Sequence, residues 1–497
     1  MTTAALLPLL VAVPLLAGGL LAVIPSRPVR VAVMLAVPAL ALVAGALLVW
    51  ATHDGTVLAH DVALWPVGVS IPFAVDVFSA LMLTTTSLLV LVSAWFAVAV
   101  RQDESPFFPA LVTILAAGVN GALMTVDIFN LFVFLEVMLL PSYGLIATTG
   151  GWRRRRAGRM YVTVNLLTST VYLAGVGLVY GVAGTVHIGE LVGAARESSL
   201  VAAAGGVMLA ALAVKAAVVP VHGWLSRTYS FTSPAVTALF SGLHTKVAIY
   251  AIYRLYATVF EGDQRYLWIG IVAFSATMLI GVLGAVGEDT TRSILVFHMV
   301  SQIGYILLGV ALFTQIGLTA GIFYLIHHMI VKASLFLSTG ALEHTYGTGV
   351  LSRIGGVARR QPLVGFVFIG AALSLAGMPP FSGFVAKLTL LIGAAEAGEW
   401  VAFTVAVVVS LITLMSMLKI WGGPFWGADP EGERTYGGEG AVAVAAPPRV
   451  RAGLIAPALV LTLTTLGIGL GAQGLLGLSE QAAAGLLDLS AYLEAVL

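Results

Sequence analysis

The sequence contains no cysteine. Disulfides, cysteine-ligated iron–sulfur clusters and cysteine-based zinc sites are therefore excluded within the chain, and any redox chemistry would have to sit on a partner. Charge is scarce as well. Asp, Glu, Lys and Arg make up 9% of the 497 residues, against roughly 25% in a soluble domain. A formal net charge of +1 leaves no basic surface for nucleic acid. The chain is filled instead by apolar sequence, with 59% hydrophobic residues and a mean hydropathy of +1.02. This is the composition of an all-α polytopic membrane protein. The opening segment MTTAALLPLLVAVPLLAGGLLAVIP has no basic leading stretch and no small-residue cleavage site, so it reads as a first span.

A span needs ~20 mostly apolar residues. About fourteen such segments are predicted, near 4–24, 29–50, 72–100, 107–126, 128–149, 160–182, 200–221, 234–257, 266–287, 292–313, 318–341, 363–395, 401–421 and 453–474. The third and twelfth exceed one span, so they are expected to tilt, kink or carry a re-entrant part. With the N-terminus placed outside, the inner loops hold sixteen of the 24 Lys and Arg, including Arg153–Arg156 and Arg159, and the outer loops hold only Arg196 and Arg265. That asymmetry orients the chain with both termini on the outer side of the cell membrane. The loop at 422–452, rich in Gly, Ala, Pro and charge, reads as a flexible cytoplasmic connection.

Ionisable residues nonetheless stand inside the apolar segments: Glu136, Lys215, Lys246, Lys332 and Lys387. A charge at the bilayer centre costs at least ~2.5–3.5 kcal/mol on insertion scales. A chain that keeps five of them has a use for them, and the natural use is moving protons or other cations. Burial disfavours the charged form of an amine, which makes such a lysine able to release its proton. For Lys215 the competing reading is snorkelling to an interface. His328 and Lys332 are spaced i, i+4 and share a helix face. With His298 and His327 they form a titratable middle, since histidine titrates near ~6.5 when unperturbed. His244 precedes Lys246 by two residues, so the two point to different faces. Asp76 is expected to serve a helix N-terminus, Glu343 to be interfacial and Lys419 to snorkel. No cofactor is expected.

Two helices are interrupted. The seventh, AVKAAVVPVHGWL, breaks at Pro220 and Gly223, and the twelfth, SLAGMPPFSGFVAKL, breaks at Gly377, Pro379, Pro380 and Gly383. Each break lies near a lysine, Lys215 or Lys387. Interrupted segments at matching places in two halves point to inverted repeats, here spans four to eight and nine to thirteen. The expected organisation is an N-terminal three-helix unit (1–106), two five-helix repeats (107–260 and 261–421), and a loop with a last helix (422–497).

The segments NLFVFLEVMLLPSYGLI, VKAAVVPVHGWL, SPAVTALFSGLHTKVAIYAIYRL, HMVSQIGYILLG, FYLIHHMIVKASLFLSTGAL and LAGMPPFSGFVAKLTLL resemble, in order, the antiporter-like subunits shared by respiratory complex I, membrane-bound hydrogenases and Mrp-type sodium/proton antiporters. Within that family, Trp224-Leu225-Ser226-Arg227-Thr228-Tyr229 is similar to the WLPRSY pattern of Mrp D subunits rather than the WLPDAH of complex I, although Ser226 departs from the usual proline. Lys387 argues against the complex I subunit that has glutamate there. The resemblance implies that Glu136 pairs with Lys215 and tunes its proton affinity, that Lys215 and Lys387 are the carriers of the two halves, and that Lys246 is the central relay. It also implies partners of the Mrp A, B, C, E, F and G type, exchange of protons against Na+, contact with membrane lipid, and inactivity of the chain alone. Two other readings stay open: a proton-pumping subunit of a redox complex, and a non-conducting scaffold.

Overall fold

The computed structural model describes residues 3–62, 70–148, 152–428 and 448–497. Most of the 422–452 connection lies outside the described residues, as do the side chains of Arg153 and Arg154. The chain begins with α1 (Leu9–Val23) and α2 (Arg27–Thr52). A two-stranded antiparallel ribbon, β1 (Leu58–Asp61) and β2 (Pro72–Val75), leads into α3 (Val77–Ala99). There follow α4 (Phe108–Met124), α5 (Ile128–Ala147), α6 (Trp152–Ala183), the short α7 (Ala194–Glu197), α8 (Ser199–Lys215), α9 (Gly223–Tyr229) and α10 (Pro234–Thr258). The next stretch holds α11 (Leu267–Val286), α12 (Thr291–Leu312), α13 (Gln315–Tyr346), the short α14 (Val357–Arg360), α15 (Pro362–Ala376), α16 (Ser382–Glu396) and α17 (Trp400–Ile420). The last elements are α18 (Ala452–Leu470), α19 (Ala472–Leu487) and α20 (Ser490–Val496).

Every one of the fourteen predicted segments falls on a helix or on a broken pair of helices. Among the described residues, eleven helices are long and apolar enough to cross a membrane, and Phe108–Met124, Ser199–Lys215 and Pro362–Ala376 are shorter apolar helices. The last two of these are halves of the interrupted segments. The third segment departs from expectation. Its first residues are the strand β2, and the helix starts only at Val77. Asp76 stops the strand: its carboxylate accepts from the Ser79 N–H while the Ser79 hydroxyl accepts from the Asp76 N–H, a reciprocal cap. The expected N-terminal role of Asp76 is thus observed. Sequence reasoning also missed α19 and α20, which follow α18 and pack against α3, α10, α13 and the ribbon. The 3-10 turn at Thr3–Leu6 and α20 both touch β1, so the two termini lie at the same end of the bundle.

The core is organised around α10 and α13. Their membrane-length central stretches are fully buried, and so are the ionisable side chains they carry, Lys246 and Arg254 on α10 and His327, His328 and Lys332 on α13. α13 touches α3, α10, α12, α15, α16, α18 and α19. Tight approach of backbones supports this arrangement. A Cβ added at Gly304 on α12 would meet the Phe274 carbonyl oxygen of α11 at 2.5 Å and the Met278 nitrogen at 2.7 Å. Small residues are what allow membrane helices to come this close. Gly304→Ala is therefore expected to destabilise the protein by about 1–3 kcal/mol through overpacking. A lower melting temperature of the purified protein measures it. Gly206→Ala, where an added Cβ meets nothing within 4 Å, should leave that temperature unchanged.

Candidate functional site

Membrane backbone must be satisfied internally or by side chains, and the two helix breaks show how. At the first, α8 ends at Lys215, Ala217 takes a left-handed conformation (φ 63°), the Val219 N–H donates to the Thr277 hydroxyl of α11 at 3.1 Å, and the Trp224 indole donates to the Val214 carbonyl at 2.9 Å. At the second, α15 ends on Gly377 (φ 89°), where glycine reaches the left-handed region without penalty. There the freed Ala376 carbonyl accepts from Lys387 Nζ at 2.9 Å and from the Ser410 hydroxyl at 3.2 Å. Lys387 also donates to Ser410 Oγ at 2.9 Å and stands 5.3 Å from the Tyr305 ring centre. The second lysine thus binds its own break, whereas the Lys215 ammonium has no hydrogen-bond partner among the described residues.

Lys215, buried to 2% exposure, is within electrostatic reach of Glu136 on α5. No hydrogen bond joins the two among the described residues, and the Glu136 charge acts on Lys215 through the field. Glu136 Oε1 and the Tyr143 hydroxyl also lack protein partners while being buried, and Tyr143 feels the Glu136 charge. His244 belongs to this cluster through its interaction with Lys215, with its ring edge-on to Phe240 at 4.4 Å. Tyr161, at the centre, touches Tyr143, Trp224, Tyr229, Phe240 and His244. Tyr143 further lines a cavity of about 680 Å³ that also holds Arg155, Arg156 and Arg159.

Lys246 leaves α10 on another face, as the spacing predicted. It is fully buried, donates to Thr245 Oγ1 at 3.0 Å, and is within electrostatic reach of His328 and Lys332 on α13. Lys332 donates to the Leu295 carbonyl of α12 at 2.7 Å. The middle group expected from the sequence is divided. His328 faces Lys246 and Lys332. His327, one residue earlier and so turned away, bonds the Ser382 hydroxyl at 2.7 Å and is within reach of Lys387. His298 bonds Ser416 Oγ of α17 at 2.8 Å and lies between Lys332 and Lys387 electrostatically. All three histidines are fully buried.

A hydroxyl network missed by sequence reasoning extends from His327. Ser382 meets Thr465 of α18 at 2.6 Å, and Thr465 meets Ser374 at 2.8 Å. Thr462 and Thr465, spaced i, i+3 in an otherwise apolar helix, were its signal. Of the peripheral residues, Glu343 pairs with Arg292, and Lys419 donates to the Glu288 carbonyl at 2.7 Å and reaches Asp289 at 3.3 Å, as a snorkelling side chain does.

Residues 125–413 match the family described as NADH:quinone oxidoreductase/Mrp antiporter, transmembrane. The D subunit of the sodium/proton antiporter of Alkalihalophilus pseudofirmus is 35% identical over 441 residues, 87% of each chain. A chain in the Mrp complex of a Dietzia species is 56% identical, with TM-score 0.95 over 100% of both chains. A chain of respiratory complex I from Thermus thermophilus is 25% identical, with TM-score 0.79 over 98% of this chain and 100% of that one. The chain belongs to the NADH:quinone oxidoreductase/Mrp antiporter family, on the branch of the Mrp D subunits.

Proposed function

We propose that this chain is the proton-carrying membrane subunit of a multisubunit sodium/proton antiporter, with partners of the Mrp A, B, C, E, F and G type. The proton line runs at mid-membrane depth through Glu136, Lys215, Lys246, His328 with Lys332, His298 with His327, and Lys387. The observation that carries this reading is that the lysines and histidines stand buried in succession across both halves, with the half-buried Glu136 at one end, most of them within electrostatic reach of the next. Between Lys215 and Lys246, His244 is two residues from Lys246 on α10 and interacts with Lys215. A charge shift at one station then biases proton release at the next. Residues 107–260 and 261–421 act as the two repeats.

Inward proton flow drives sodium outward. In this proposal the chain carries the proton and sodium is assigned to another part of the complex; among the described residues no group of three or more His, Asp or Glu could hold a metal ion. The uneven Lys and Arg content of the loops places the shared end of the termini at the outer face of the cell membrane. The higher identity to the Mrp-complex chain than to the complex I chain favours antiport over a redox-driven pump.

The test is proton-driven sodium exchange in vesicles of the assembled complex with Glu136→Gln in this chain. Two separated unit charges at an effective dielectric of about 20 interact on the order of 1.4 kcal/mol, so losing the carboxylate charge should slow exchange about tenfold. Undiminished exchange in a fully assembled variant would favour the scaffold.

A further inference from the structure

Two stations of the proposed line are held at one helix break. Lys387 binds the freed Ala376 carbonyl, together with Ser410. His327 is held through Ser382, the residue that opens α16. The Ser382 hydroxyl in turn meets Thr465 of α18 at 2.6 Å, and Thr465 meets Ser374, near the end of α15, at 2.8 Å. One threonine thereby joins the two half-helices and the histidine. All four side chains are fully buried. Thr464, its neighbour, bonds back to the Val460 carbonyl, as a threonine inside a helix commonly does. Thr465 instead gives both of its hydroxyl bonds to the break. Gly469 follows Thr465 at i+4 and shares its face of α18. A Cβ added there would run into the Pro380 carbonyl oxygen and lie 2.6 Å from the Ser382 nitrogen, so α18 is seated directly on the break. A Cβ at Gly383 would run into the Ser374 carbonyl oxygen and lie 3.0 Å from His327 Cε1. The helix that makes these contacts has no ionisable side chain of its own and lies outside both proposed repeats.

We propose that Thr465 is a positioning residue of the proton line, acting through Ser382 to hold the His327 ring at the break that also seats Lys387. The proposal rests on the proton-carrying function above and extends it to a helix that supplies no carrier. A hydroxyl both donates and accepts. Ser382 therefore stays bonded to His327 whether Nδ1 bears a hydrogen and donates to it or lacks one and accepts from it. A backbone carbonyl or amide in its place would suit only one of these states. The other ring nitrogen, Nε2, has no partner among the described residues and is the one left to exchange protons with the line. Without the Thr465 hydroxyl, Ser382 keeps its bond to the ring but loses its own anchor, and the ring is no longer held in place. Small displacements of a donor from its partner slow transfer steeply.

The two halves of the threonine side chain provide the test. Thr465→Val keeps the shape and removes the hydroxyl, and Thr465→Ser keeps the hydroxyl and removes the methyl. The assay is sodium/proton exchange in vesicles of assembled complexes matched for subunit content. Thr465→Val should slow exchange about fivefold or more, and Thr465→Ser should stay within about twofold of the unmodified complex. A threonine that only packs would give the reverse order. Where valine lowers assembly, the smaller Thr465→Ala takes its place and is compared with Thr465→Ser, from which it differs by the hydroxyl alone. Thr462→Val is the control. Its hydroxyl bonds Ser334 at 2.7 Å and the Val367 carbonyl at 3.1 Å, and no titratable group among the described residues, so exchange should stay within the same margin as for Thr465→Ser. Equal exchange by the variants with and without the Thr465 hydroxyl overturns the proposal, and so does an equal loss in Thr462→Val. If Glu136→Gln still slows exchange in that case, the proton-carrying function stands and Thr465 is left with packing alone.

Discussion

Lys387→Ala brings sodium/proton exchange by the assembled complex down at least about a hundredfold, a barrier increase of about 2.7 kcal/mol. The ammonium sits on the carbonyl that the α15–α16 break sets free, and it is the last ionisable group of the proposed line. Without it, no side chain at that end takes up or gives off a proton, and water must hydrate the Ala376 carbonyl instead. A purely structural role is separated by Lys387→Arg. Arginine keeps the positive charge and several donors for the carbonyl, but it does not deprotonate in proteins. If Lys387 serves only to brace the break, arginine restores exchange. If it carries protons, the arginine variant assembles and stays as inactive as alanine. Vesicle assays on complexes matched for subunit content distinguish the two.

Much of this site was legible before the structure because the membrane makes polar residues conspicuous. Lys215, Lys246, Lys332 and Lys387 announce themselves by standing in segments that should hold none, and the breaks announce themselves through Pro220 and Pro379-Pro380. Helix periodicity also placed His244 and Lys246 on different faces. The reading failed where the signal depends on which helices meet. His327 and His328 look like one cluster in sequence, yet a 100° turn per residue sends one toward Lys387 and the other toward Lys246. The hydroxyls of Ser382, Ser410, Ser416 and Thr465 are unremarkable in apolar helices until three-dimensional packing brings them to the ionisable groups. The strand β2 was hidden because Phe73, Ala74 and Val75 are as apolar as any span, and only the cap at Asp76 marks where the helix starts. The helices α19 and α20 were missed because their mixed composition falls below the threshold for a span.

In the proposed proton line Lys332 joins the two halves, and Lys332→Met is expected to lower exchange about thirtyfold, equivalent to about 2 kcal/mol in barrier. Methionine is unbranched and of similar length, so it fills the site on the wholly buried α13 with little repacking. What it removes is the charge between Lys246 on one side and His298 on the other, together with the hydrogen bond to the Leu295 carbonyl. An orphaned buried carbonyl costs roughly 1–3 kcal/mol of stability, so melting of the complex should be measured beside exchange. The informative comparison is with Glu136→Gln. Stations on one line share a single limiting barrier, and removing a second station then adds little to the loss caused by the first. The double variant should therefore exchange sodium no more than about threefold slower than Lys332→Met alone, because residues that act as a unit are strongly non-additive. Two independent routes would instead multiply the tenfold and thirtyfold losses, and a product near three hundredfold would separate Glu136 and Lys332 into different paths.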